Sequence, residues 1–209
     1  MHQWLEVLPK RYGMLVNFNQ TYPLRFLPEH RPFRTLEIGA GIGTHLAYED
    51  LSLQEYHCIE LRENVGAKLR ERFPTAIVTL GDCQQKLPYK DSHFDRVLAL
   101  HVLEHLPDLP RAVAEVRRVL RPGGLFSVVI PCDPGLAYEL ARKISAEPLF
   151  KRRYGLHYKA YIRHEHVNSP AEVLYVMQNG FEEIDRTHFP LPVPSVALNL
   201  CLGLTYRKH

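Results

Sequence analysis

The stretch Leu36-Glu37-Ile38-Gly39-Ala40-Gly41-Ile42-Gly43-Thr44 decides the fold. The run Thr35-Leu36-Glu37-Ile38 is short, largely apolar and halts at Gly39, the pattern of a buried strand. Glycines follow at the first, third and fifth positions of the turn. Lacking a Cβ, they let the chain reverse sharply and let a ligand come close to the backbone. The dinucleotide fingerprint asks for glycine at the sixth position, which here is Thr44. Glu37, just ahead of the turn, repels a pyrophosphate and suits a ligand that carries an ammonium.

Working outward, strands are expected over residues 56–60, 76–80, 94–100 and 125–130. Helices are expected over 41–53, 63–72 and 109–120, the last with Ala112, Val113, Val116, Val119 and Leu120 at helical spacing. Strands that alternate with helices and are nearly all apolar predict right-handed crossovers and a parallel sheet covered on both faces. Beyond Pro131 the pattern changes. Residues 135–150 read as a helix, and 151–168, rich in Arg, Tyr and His, show no period. Ser169-Pro170-Ala171-Glu172 is a helix start with its own cap, and Gly180 suits its end. Residues 181–189 and 195–206 read as strands joined by a connector too short for a crossover helix, so they should run antiparallel. The fold class expected is therefore α/β: a doubly wound, mostly parallel, seven-stranded Rossmann-like sheet ending in an antiparallel hairpin. Residues 1–33 form an N-terminal helical segment and potential lid. Residues 34–209 form the main domain, with a substrate-side insertion at about 135–168.

Composition bounds the reading. With 209 residues, one domain can bury a core that needs no disulfide or metal staple. The excess of 26 Lys+Arg over 23 Asp+Glu is too small and too evenly spread to call for nucleic acid. Cys58, Cys83, Cys132 and Cys201 lie far apart and read as reduced core residues. No signal peptide or membrane-length apolar run is apparent, so a cytoplasmic location is expected.

Two acids stand in register with the glycine turn. Glu60 closes the second strand and can accept hydrogen bonds from both hydroxyls of a ribose. Asp82 closes the third and can reach the amino group of an adenine. Carboxyl ends of neighbouring strands are where open α/β sheets bind ligands.

With Glu60-Leu61, Gly81-Asp82-Cys83, Phe94-Asp95-Arg96-Val97, Val102-Leu103-Glu104-His105-Leu106 and Val119-Leu120-Arg121-Pro122-Gly123-Gly124 added to the turn, the chain resembles the class I S-adenosylmethionine-dependent methyltransferases of the small-molecule type. The likeness covers residues 34–131 most strongly. It implies S-adenosylmethionine as cofactor. It implies that Glu37, Gly39, Ala40, Gly41 and Gly43 hold the methionine half, Glu60 the ribose, Leu61 the adenine face, and Asp82 and Cys83 the adenine edge. Backbone of Leu100 and His101 then meets the methionine near the sulfonium.

The activity implied is methyl transfer to a small-molecule, saccharide or lipid-type acceptor. The alternative is a non-catalytic S-adenosylmethionine-binding protein or partner subunit on the same fold. A nicotinamide oxidoreductase is disfavoured by Thr44 and Glu37. His101 is the candidate general base, against a reading in which it gives only its backbone to the pocket wall. Glu104 and His105 read as structural. Tyr154, His157 and Tyr158 are candidate acceptor contacts, with Arg152 and Arg153 for an anionic group, against a plain basic loop. His164 and His166 alternate as ligands on a strand would, but without an evident third ligand no metal is expected.

Overall fold

The computed structural model describes residues 13–155 and 158–209. Seven strands form one sheet: β1 Phe33–Ile38, β2 Gln54–Glu60, β3 Ile77–Leu80, β4 Phe94–Leu100, β5 Leu120–Pro131, β6 Phe181–Phe189 and β7 Cys201–Lys208. Their order is β3-β2-β1-β4-β5-β7-β6. The first five pair in parallel, and β7 runs antiparallel to both β5 and β6. The expected sheet and terminal hairpin are therefore present. Successive residues of one strand serve both faces: Val97 and Ala99 join one core and Leu98 the other.

The helices are α1 Gly13–Thr21, α2 Glu63–Arg72, α3 Leu109–Val119, α4 Leu136–Ile144, α5 Ala146–Tyr154, α6 Tyr158–Glu165 and α7 Pro170–Met177. Helix α3 buries Leu109, Ala112, Val113, Val116 and Val119, the stripe its spacing announces. Helix α7 starts on the expected capping box, with the Ser169 side chain and Glu172 satisfying each other's backbone N–H groups.

Four expectations are corrected. Residues 41–53 form no α-helix: they turn and then make two short 3-10 turns, Leu46–Tyr48 and Leu51–Leu53. Gly41 and Gly43 have φ of +57° and +74°, which no right-handed helix admits. His45 and Glu49 are drawn into a buried network that an exposed helix face could not supply. The expected helix over 135–150 is two, α4 and α5, broken at Ser145 (φ −121°, ψ −61°). Pro148 has no N–H for the carbonyl four residues back, and its ring crowds that carbonyl. The supposedly aperiodic 151–168 contains α6, and Gly155, in the left-handed region, separates it from α5. Finally, the last strand begins at Cys201 rather than at 195, after a 3-10 turn over Val196–Leu198.

The N-terminal segment packs on the hairpin. Phe18 stacks on Phe189 (ring centroids 4.7 Å apart), and the buried Tyr22 donates its hydroxyl to Asp185 at 2.9 Å. Residues 1–12, the outer part of the expected lid, lie outside the described residues.

A buried charged network ties these parts together. Arg96, in the middle of β4, has no solvent exposure. Its Nη1 meets Glu49 Oε1 at 2.7 Å, and its Nη2 donates to the Pro23 carbonyl at 2.8 Å. The same Glu49 oxygen lies 2.7 Å from His45 Nε2, and Gln54 donates to its other oxygen. Burial alone raises a carboxyl pKa, but His45, Arg96 and Gln54 more than offset it, and Glu49 is held down at about 2. Removing one partner strands a buried charge. Glu49→Ala is therefore expected to lose about 3–5 kcal/mol, read as a lower urea midpoint at unchanged slope; a loss inside the spread of surface mutants would refute the role given to the pair. Because the folded value lies below the ordinary one near 4.5, this stabilisation is complete above pH 4.5 and drains away as the pH falls towards 2.

Candidate functional site

The carboxyl ends of β1, β2, β3 and β4 bring the glycine turn, Glu60, Asp82 and His101 to one edge of the sheet. Gly39 leaves β1 with φ +67° and its N–H on the Ile59 carbonyl (2.8 Å). A Cβ there would strike Val102 at 2.5 Å, so glycine is required for packing. Gly41 is different: a Cβ would meet nothing within 4 Å. Its left-handed backbone borders open space, the geometry of a ligand cradle.

Glu60 joins the adjacent loops. Its buried carboxylate accepts from the Gly41 N–H (3.1 Å) through one oxygen, and from the N–H and Nε–H of Arg62 (3.1 and 3.0 Å) through the other. Its carbonyl accepts from the Gly81 N–H at 3.1 Å. The turn after β1 and the loop after β3 are thus hung on a single residue between them. Leu61 follows with 69% of its surface exposed, an apolar plate without a cover. Asp82 is half-buried and takes the Gln84 N–H and side-chain amide on Oδ1 (2.9 and 3.0 Å). Cys83 is buried, and burial together with Asp82 pushes its thiol up to about 11, which keeps it protonated at neutral pH. All four cysteines carry free, buried thiols.

Glu37 is 3% exposed and accepts from the Tyr56 hydroxyl at 2.9 Å. Burial, only partly countered by His45 and Tyr56, raises its carboxyl pKa. A neighbouring cation would relieve that cost.

His101 has φ +54°, one of two non-glycine residues in the left-handed region among the described residues. Such strain persists only where the surroundings enforce it. Its N–H is held by the Val129 carbonyl at 2.8 Å. Its Nε2 lies 2.8 Å from Asn19 Nδ2 and its Nδ1 3.2 Å from Glu104 Oε1. With the amide so oriented Asn19 donates, Nε2 accepts, and the ring proton sits on Nδ1 facing Glu104. Burial opposes ionisation of Glu104, yet His101 and His105 together hold its carboxyl below the usual range. Asn19 carries no signal in the sequence, standing 82 positions from its partner.

The expected acceptor residues do not gather here as a set. Tyr154 ends α5 and Tyr158 begins α6, and both rings pack on Phe150 at 4.9 and 5.0 Å. His157 lies outside the described residues. Arg152 and Arg153 are exposed. His164 is exposed on a helix, not a strand, whereas His166 turns inward and bonds Asp133 at 2.8 Å. A separate hollow opens elsewhere, lined in part by Arg25, His30, Asp95, Arg121 and Arg207. Its Asp95 is already paired with Arg121 (2.7 Å) and His30 (3.3 Å).

Comparison with known proteins bears on the family and the fold. Residues 36–128 match the family model described as a methyltransferase domain. A sterol 24-C-methyltransferase of Gibberella zeae is 46% identical over 109 residues, covering 46% of this chain and 27% of that protein. A phthiotriol/phenolphthiotriol dimycocerosates methyltransferase of Mycobacterium tuberculosis is 37% identical over 98 residues, covering 44% of this chain and 36% of that one. The chain spans less than half the length of these curated relatives. Among solved structures, an S-adenosylmethionine-dependent methyltransferase from Thermotoga maritima superposes with a TM-score of 0.72 at 22% identity, over 100% of this chain and 96% of that one. The [4+2]-cyclase SpnF superposes at 0.67 with 16% identity, over 93% of this chain and 80% of its own.

Glu60→Ala is expected to weaken S-adenosylhomocysteine binding by about 1.5–3 kcal/mol, the worth of hydrogen bonds to a charged group. Calorimetry on the folded variant measures it, and unchanged affinity would put the sugar assignment in error. Gly41→Val, which fills the open space, should bind more weakly still.

Proposed function

We propose that the chain is a class I S-adenosylmethionine-dependent methyltransferase that transfers a methyl group to a small-molecule or lipid-type acceptor, a reading supported by the methyltransferase-domain match over residues 36–128 and by the shared fold. The observation that carries the proposal is the junction at Glu60. There the open backbone of Gly41, the carboxylate and the exposed Leu61 stand side by side, in the order that an amino-acid tail, a ribose and an adenine would need. The cofactor fits this cradle: Gly41 leaves room against its backbone, and the raised carboxyl of Glu37 gains from an ammonium. Sterol and phthiotriol methyltransferases among the relatives support the acceptor class.

When bound, S-adenosylmethionine supplies a methyl group already activated by the positive charge on sulfur. The work left to the protein is alignment and exclusion of water. Gly39, Ala40, Gly41 and Gly43 fix one end of the cofactor, Glu60 and Leu61 the middle, and Asp82 and Cys83 the far edge. Backbone of Leu100 and His101 borders the reacting centre. For a hydroxyl or amine acceptor a base is useful. His101 fits that role: Glu104 holds Nδ1–H and so orients the ring, leaving the lone pair on Nε2. That lone pair faces Asn19 of α1, so an acceptor proton reaches it by replacing the Asn19 amide. The N-terminal helix thereby acts as a lid over the base.

The second reading, binding without methyl transfer, draws on the SpnF likeness, because a fold does not fix its reaction. Transfer of labelled methyl groups into a lipid and metabolite extract separates the two. The expected result is a labelled product; none from any fraction, with cofactor bound, would favour the second reading. His101→Asn, which tolerates the left-handed backbone, should slow transfer by about a hundredfold or more and leave S-adenosylhomocysteine binding unchanged. An equal loss of binding would reduce His101 to pocket wall.

A further inference from the structure

Next to His101 lies a set of side chains of which methyl transfer uses only one carboxylate oxygen, Glu104 Oε1. Glu104 is buried; Oε1 faces His101, but Oε2 is sealed from solvent with no hydrogen-bond partner among the described residues. A buried carboxylate oxygen without a donor is costly and calls for an occupant. Two imidazoles flank the same carboxyl group. The His105 and His166 rings are 5.0 Å apart, and one ligand atom from each of Glu104, His105 and His166 lies within 4.8 Å of the others.

The hydrogen bonds fix which nitrogen each ring offers. His105 Nδ1 is 2.8 Å from the Glu165 carbonyl, which can only accept, so that nitrogen carries the proton and Nε2 the lone pair. This Nε2 is 3.9 Å from Glu104 Oε1. His166 Nδ1 is 2.8 Å from Asp133 Oδ2, with the same consequence. A histidine that gives its far N–H to a carbonyl or a carboxylate is set up as a metal ligand. The backbone holds the two halves together. The Glu104 carbonyl accepts the N–H groups of Val167 (2.8 Å) and Asn168 (3.1 Å), and the Asn168 amide donates to the carbonyls of Leu103 and Leu106.

We propose that Glu104, His105 and His166 form a site for a divalent first-row transition cation. Two imidazoles and one carboxylate suit zinc, cobalt or iron, whereas magnesium and calcium prefer oxygen alone. The sequence points to a structural Glu104-His105 and to an alternating His164/His166 pair; folding instead joins His166 to the pair 61 positions earlier and leaves His164 exposed. Tetrahedral bonds of about 2.0–2.1 Å put ligand atoms about 3.3 Å apart, so the cluster closes somewhat on the ion. His105, 38% exposed at its side chain, is free to make that movement. Three protein ligands leave a position open. Through Glu104 that position borders His101, so the cation would hold an acceptor oxygen beside the methyl donor, a role that rests on the methyl-transfer reading.

The test uses the full chain stripped with EDTA, titrated with Zn²⁺ by calorimetry and with Co²⁺ by its visible absorption. The wild type should take up a single equivalent of each and ignore Mg²⁺. His105→Ala and His166→Ala should each lower Zn²⁺ affinity by about tenfold or more, and Asp133→Asn, which loosens His166, by about tenfold, with circular dichroism unchanged. His93→Ala should have no effect; it removes a ligand from a second cluster, Glu55, His57 and His93. Zn²⁺ binding only in the millimolar range, wild-type affinity in both His105→Ala and His166→Ala, or loss of affinity in His93→Ala would each overturn the proposal. S-adenosylhomocysteine titration of the same samples judges the methyl-donor reading separately.

Discussion

The guanidinium of Arg96 has no water around it and must be satisfied by the protein. It finds Glu49 from the connection after β1 and a carbonyl at Pro23 from the N-terminal segment, so one side chain on a central strand decides where two distant stretches lie. Both ends of the glycine turn follow from this. Strand β1 delivers Gly39 on one side, and on the other His45 and Glu49 are drawn inward, which keeps residues 44–53 compact against the sheet. Replacing such an ion pair with apolar groups can leave stability unharmed. Here the charge also selects the course of the chain, because only a connection that carries Glu49 to Arg96 can follow the turn.

Much of this was legible in the residues. Buried parallel strands are continuous apolar runs, and β4 falls where the sequence puts it; β6, an antiparallel edge strand, also keeps its expected bounds. So do α3 and the capping box of α7, whose signals are local. What was not legible is tertiary. Nothing near residues 41–53 tells that His45 and Glu49 will serve a buried arginine. The break at Ser145 was available through Pro148. Helix α6 was hidden by its run of Arg, Tyr and His, which gives no apolar stripe.

The site divides the same way. The turn, Glu60, Leu61 and Asp82 sit at strand ends, and strand ends can be placed from pattern alone. The surroundings of His101 cannot, since Asn19 arrives from α1 and Glu104 from the turn after β4, and Glu104 is in turn met by His166 from the segment after α6. Asp133, just past β5, was a weak clue as a carboxylate at the same sheet edge. Its partner His166 becomes meaningful only when the chain has folded back upon residues 103–106.

Both oxygens of Glu60 are already engaged by Gly41 and Arg62. Three donors already occupy a carboxylate with about four acceptor positions, so a vicinal diol arriving there must displace at least one of them, and the count of new contacts overstates the free energy gained. Discrimination, by contrast, sharpens. A deoxy analogue that pushed these donors aside without offering its own would strand a buried anion, and the penalty for being the wrong molecule would exceed the reward for being the right one.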